Sequence, residues 1–226
     1  MFELSQKEQL ILDLYTVNAI KFGEFTLKSG VISPFYLDLR ILVSYPHLLS
    51  LTADVFWEKL RVLYFDVLAG VPYTAIPIAT AVGVGHMQNM IFVRKEVKEY
   101  GTKKRIEGEY HTGQKAVVID DVITNGESKF ETIKYIEEAG LTVEHLVILV
   151  DRGQGGVELL SQHGYQCHPI YTMDQIFEVL VKHKKISRAM VRKCLKFIQK
   201  TRREFLKKDQ PAGQKTGSIK TRKNSL

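Results

Sequence analysis

Apolar positions recur at helical spacing near the start of the chain. Leu10, Ile11, Leu14, Val17 and Ala19 or Ile20 share one stripe behind Ser5-Gln6-Lys7-Glu8, a capping-box pattern, which predicts a first helix. Residues 25–27 and 35–39 read as short strands around the turn Lys28-Ser29-Gly30, and Pro46 opens a second helix running through Leu60. The rhythm then changes to short, wholly apolar runs at 67–69, 91–93, 116–119 and 143–150, with helical stretches from about Thr74 and at 126–139, the latter closed by Gly140. Strands that are apolar on both faces and alternate with helices predict a mostly parallel sheet covered on both sides, hence an α/β protein. Residues 165–170 add an edge strand, and helices follow at 174–181 and 187–207. From Asp209 onward Gln, Pro, Gly, Lys, Thr and Ser dominate without an apolar period, so the chain divides into a packed unit, 1–208, and a tail, 209–226, with no core of its own.

Composition adjusts this picture in three ways. With 226 residues, 45% of them hydrophobic and 25% charged, the chain suits one large domain and excludes wholesale disorder. The formal charge of +7 first suggests a polyanionic partner such as nucleic acid. Residues 200–226, however, hold nine Lys or Arg against Glu204 and Asp209, so the surplus lies in this C-terminal stretch, and residues 1–199 are neutral. Two cysteines, Cys167 and Cys194, exclude a disulfide scaffold or a Cys-rich zinc site and point to a reducing compartment. The longest uncharged run, 67–93, is interrupted by Pro72, Pro77, Gly83 and Gly85, a poor membrane span; with no signal peptide visible, the cytoplasm is the expected address. The seven histidines show no metal-ligand spacing.

The chemistry concentrates in Val117-Val118-Ile119-Asp120-Asp121-Val122-Ile123-Thr124-Asn125-Gly126-Glu127-Ser128. An apolar strand ends in two acids, and a Thr/Gly/Ser loop opens a helix. Ligands of open α/β sheets sit beyond the carboxyl ends of the strands. Two carboxylates there are not expected in the buried core, since isolated charges in that position are costly unless something pairs with them, and they suit the vicinal hydroxyls of a ribose, directly or around hydrated magnesium. The loop offers N–H groups and hydroxyls at a helix N-terminus, a site for a phosphate monoester. The plain alternative is an acid pair capping a helix, and acid pairs after strands also occur in phosphoacceptor and hydrolase folds.

At these residues the sequence resembles the type I phosphoribosyltransferases, whose signature is an apolar strand, two acids and a Thr-x-Gly loop. More narrowly it is similar to the orotate phosphoribosyltransferase family through segments 22–30, 33–40, 70–77, 94–101 and Asp151-Arg152, which occur in family order within residues 5–200. The resemblance implies a central mostly parallel sheet flanked by helices, a small N-terminal hood and a flexible active-site loop. It implies transfer of a phosphoribosyl group from phosphoribosyl pyrophosphate (PRPP) to orotate, with Mg2+ carried by PRPP near Asp120 and Asp121 rather than ligated directly by the protein. It also implies a homodimer with shared sites.

By the same resemblance Lys98, Asp120 and Asp121 are the catalytic candidates. PRPP would meet Lys28, Tyr73, Thr74, Arg94, Lys95, Lys98, Tyr100, Asp120, Asp121 and the run Val122, Ile123, Thr124, Asn125, Gly126, Glu127, Ser128. Orotate would meet Tyr36, Leu37, Thr124 and Arg152, whose guanidinium suits a planar carboxylate. Taken alone, Lys28 reads as an exposed hairpin lysine, Tyr36 as a core tyrosine and the charged stretch 94–113 as solvated surface. Leu37 stands where the family often has an aromatic residue, and Tyr100 where many bacterial members have histidine. Two alternatives stay open: a PRPP-sensing regulator that binds nucleic acid through the tail, and the same transfer to a purine or other base.

Overall fold

The computed structural model describes residues 4–27, 30–95 and 105–208. Lys28, Lys98 and Tyr100, residues 96–104 of the expected active-site loop and the tail 209–226 lie outside the described residues.

Helix α1 (Gln6–Thr16) starts where the capping pattern places it, with Ser5 Oγ accepting the Glu8 N–H at 3.2 Å. It stops earlier than its apolar stripe suggests. Asn18 turns the chain at φ 59, and Ala19 and Ile20 are buried in the entry to β1 (Ile20–Thr26) instead of on the helix. Strand β2 (Ile32–Leu37) runs antiparallel to it, with Ile20 opposite Leu37 and Phe22 opposite Phe35. That pairing makes the hairpin longer than local pattern shows, and it forms the small sheet expected as a hood. A 3-10 turn (Leu39–Ser44) leads to α2 (Pro46–Leu60), where proline sits in the first turn, a place that needs no N–H.

The main sheet uses β3 (Val67–Gly70), β4 (Met90–Val93), β5 (Ile106–Glu107), β6 (Lys115–Ile123), β7 (Thr142–Asp151) and β8 (Gln166–Thr172), in the order β5-β4-β3-β6-β7-β8. All neighbours are parallel except β5, which pairs antiparallel with β4. The two residues of β5 were not predicted, since a charged two-residue edge has no period to read. Helices α3 (Ala75–His86), α4 (Glu127–Glu138) and α5 (Gly156–Gln162) make the crossovers, and α6 (Met173–Lys182) and α7 (Arg188–Lys208) close the chain.

The connections decide where a ligand can sit. From β3 the chain crosses to β4 on one side; from β6 it crosses to β7 and β8 on the other. Right-handed crossovers therefore put α3 and α4 on opposite faces and leave a crevice between the ends of β3 and β6, the topological switch point. Behind it the core is continuous, from Leu68 and Val118 through Ile148 to Phe56 and Phe177, all buried. Among the described residues no helix is long and apolar enough to cross a membrane.

Candidate active site

The crevice is built as a step. The last paired residue of β3, Gly70, lies opposite Ile119, and the Val71 N–H donates to Ile119 O at 3.0 Å. Strand β6 continues beyond it, with Asp120 opposite Ile148 and Ile123 opposite Asp151 of β7. The acid pair therefore lies within the strand rather than past its end, along an edge that β3 does not cover. Gly70 lets α3 begin close by, since a Cβ there would come within 3.1 Å of Ala75 O and 3.2 Å of Ala79 Cβ. Exposed Tyr73 and half-buried Thr74 stand on the intervening loop, and the Pro72–Tyr73 peptide is cis.

The sequence argument against burying both acids needs correction for Asp120. This residue is 4% exposed, and its Oδ2 lies 2.6 Å from the Lys129 ammonium, which is itself buried on α4. The pairing offsets part of the penalty that burial alone would impose. Asp120 Oδ1 accepts the Asp121 N–H at 2.8 Å, and Asp121 Oδ1 accepts the Val122 N–H at 2.9 Å. Burial, then the adjacent Asp120 charge, raise Asp121 above the usual carboxylate range.

Beyond Ile123 the chain turns through Gly126 (φ 86), a conformation that favours glycine, into the first turn of α4. Thr124 and Asn125 are half-buried, while Glu127 and Ser128 are exposed at the helix N-terminus, where the dipole favours a phosphate. Ile123 is core, so only its backbone is offered to a ligand; Val122 is half-buried. Gly156 fits closely beneath, its N–H donating to Thr124 O at 3.0 Å where a Cβ would come within 2.7 Å.

On the other side of the crevice Arg94 marks the base of the charged loop. Its N–H donates to Arg105 O at 2.8 Å, and its guanidinium pairs with Glu107 at 3.2 Å. The Lys95 ammonium lies 4.9 Å from the centre of the Tyr73 ring. Arg94, Lys95, Pro72 and Ser128 line one cleft with Tyr135, so residues from three predicted segments converge there.

Arg152 occupies a second corner, beside the loop. Its N–H donates to Ile123 O at 3.1 Å, while Nε and Nη2 are buried with no hydrogen-bond partner among the described residues. The guanidinium lies 4.8 Å from the Phe35 ring, and burial pulls its pKa down to about 10, with Tyr36 opposing the shift. Tyr36 stacks on Phe25 at 5.6 Å, and its hydroxyl accepts from Arg40 at 3.3 Å. Arg40 in turn grips Asp38 at 2.7 and 3.0 Å. Leu37, half-buried, ends β2. Phe35 is held edge-on by Phe177 of α6 and Phe197 of α7, at 6.3 and 6.0 Å.

Sequence reasoning missed Lys129 and Phe35. Lys129, Thr132, Ile133 and Ile136 are the buried residues of α4, spaced i, i+3, i+4, i+7. A lysine on the apolar stripe was the available signal, because it needs an anion opposite it. Phe35 gave none beyond an apolar strand position. Among the described residues no cluster of three or more His, Cys, Asp or Glu could hold a metal.

No family model matches the chain. Bovine uridine 5′-monophosphate synthase is 41% identical over 84% of this chain and 40% of its own length. Orotate phosphoribosyltransferase of Chlamydia caviae is 32% identical over 82% of this chain and 92% of its own. The solved structure of Leishmania donovani UMP synthase superposes with a TM-score of 0.80 at 36% identity, covering 87% of this chain and 43% of that one. The chain thus spans less than half of the two synthases and nearly all of the bacterial relative. With the acid strand, the α4 cradle and Arg152 gathered at one switch point, the chain belongs to the orotate phosphoribosyltransferase family.

Proposed function

We propose that the protein transfers the 5-phosphoribosyl group of PRPP to orotate, giving orotidine 5′-monophosphate and pyrophosphate, a step of UMP synthesis. The observation that carries this reading is Arg152, half-buried, whose Nε and Nη2 are shut off from water with no partner among the described residues, beside Tyr36 and next to the phosphate loop. Such a group requires an anion with two parallel oxygens, and a heterocyclic carboxylate supplies it. A neutral base such as hypoxanthine or uracil leaves those donors unsatisfied, which disfavours the purine alternative.

The anomeric C–O bond to pyrophosphate breaks as the orotate ring nitrogen bonds to the same carbon, through an oxocarbenium-like transition state. No protein nucleophile is needed; alignment and charge stabilisation suffice. Amides of the α4 first turn with Thr124 and Ser128 hold the 5′-phosphate, and Tyr36 lies against the base whose carboxylate Arg152 fixes. Lys95 and Arg94 face the departing pyrophosphate, with Lys28 and Lys98 as further cations. Oxygen donors at Asp121 fit a hard ion, so waters of Mg2+ would rest there; when bound, the ion supplies charge neutralisation at pyrophosphate. The active form is a cytoplasmic homodimer whose loops serve the neighbouring site.

A spectrophotometric assay of orotate loss with PRPP and Mg2+ tests the reading. Orotidine monophosphate should form, with hypoxanthine and uracil inert; absence of product would overturn it.

A further inference from the structure

The two carboxylates at the step are not equivalent. Both oxygens of Asp120 are engaged, Oδ1 by the Asp121 N–H at 2.8 Å and Oδ2 by Lys129 at 2.6 Å. The same ammonium donates to Val122 O at 2.5 Å and Ser128 Oγ at 3.2 Å. Lys129 thus ties the end of β6 to the first turn of α4, fixing the acid pair relative to the phosphate cradle. Asp121 is half-buried, and among the described residues no donor reaches its Oδ2.

Lysine usually runs its stem along apolar surface and leaves the ammonium in water. Here the side chain is 6% exposed, so its desolvation is offset by three oxygens at the rim of the ligand site. Electrostatics point the same way. Two adjacent carboxylates repel an anionic sugar diphosphate, and a buried cation on one of them removes one negative charge from the cluster.

We propose that Lys129 is a positioning residue that divides the acid pair, anchoring Asp120 in the protein so that Asp121 alone receives the ribose hydroxyls of PRPP. The identity of the ligand rests on the function proposed above, whereas the division of labour is a property of the two acids. Calorimetric titration of PRPP with Mg2+, alongside kcat and KM, reads it directly. Asp121→Asn should weaken PRPP binding by roughly 10–100-fold, the range for losing hydrogen bonds to a charged group. Asp120→Asn and Lys129→Met should each weaken it less. The double variant Asp120→Asn/Lys129→Met should bind better than either single, since both halves of the pair leave together. Asp121→Asn/Lys129→Met should show no such recovery.

Lys129→Arg, which keeps the charge, should raise KM for PRPP less than Lys129→Met and leave kcat near that of the wild type. Equal losses for Asp120→Asn and Asp121→Asn, or wild-type affinity in Lys129→Met, would overturn the inference. If Lys129→Met does not fold, the two asparagine variants decide alone. A wild type that binds PRPP but forms no orotidine monophosphate overturns the proposed activity, and the calorimetric ranking still judges Lys129.

Discussion

Arg152 and Lys129 both hold cationic nitrogens away from water, yet their surroundings differ. Lys129 meets a carboxylate and two further oxygens, so its cost is offset within the chain. Arg152 keeps two nitrogens without a partner among the described residues, with the Phe35 ring 4.8 Å from its guanidinium. A charge satisfied internally holds structure in place; a charge left unsatisfied stores a preference for a ligand. The contrast predicts opposite responses to the same substitution.

Lys129→Met strands Asp120 in the interior and should cost about 3–5 kcal/mol of stability, measured by denaturant unfolding. Arg152→Met should cost none and can raise the melting temperature, because it removes a charge that folding must desolvate. Its loss appears in catalysis: kcat/KM for orotate should fall roughly 100-fold, close to 3 kcal/mol, and Arg152→Lys should not restore it. If both variants lose stability alike, the distinction between the two corners fails.

Gly126→Ala probes the loop joining the corners. Placing a Cβ at φ 86 should cost about 1–2 kcal/mol and raise KM for PRPP more than KM for orotate. A change confined to the orotate KM would mean that the loop serves the Arg152 side instead.

The smallest effect lies far from the crevice, at a pair of neighbouring histidines. His168 Nε2 lies 3.3 Å from His145 Nδ1 on neighbouring strands. Burial, then His145 and Lys59, hold the His168 pKa below its ordinary value. Below about pH 6.5 the unfolded chain therefore binds more protons than the folded one, and stability falls as pH drops through that window. His168→Gln should flatten this slope in melting curves between pH 7 and 5 while leaving activity at pH 8 unchanged.

What could be read from the sequence followed what is local. Pro46 and Leu60 bound α2 because a proline start and an apolar stripe are visible within fifteen residues. The Asp120-Asp121 strand and Gly126 loop were legible for the same reason. The full hairpin was not, since Ile20 and Phe22 become strand only opposite Leu37 and Phe35. Lys129 showed only that it stands on the apolar stripe of α4; which anion it meets depends on how α4 packs against β6. Arg152 was visible as a candidate, but its missing partners, the feature that gives it meaning, exist only in three dimensions. Lys28, Lys98 and Tyr100 rest on resemblance alone.

The step between β3 and β6 works as a length gauge. One strand has four residues and its neighbour nine, and the room for the proposed sugar phosphate is the difference between their ends. Extending β3 by a pair of residues would cover the free edge at Asp120 and erase the site while every charged side chain stayed in place. Binding capacity here is therefore inherited from where one strand stops, a quantity that no single substitution reports.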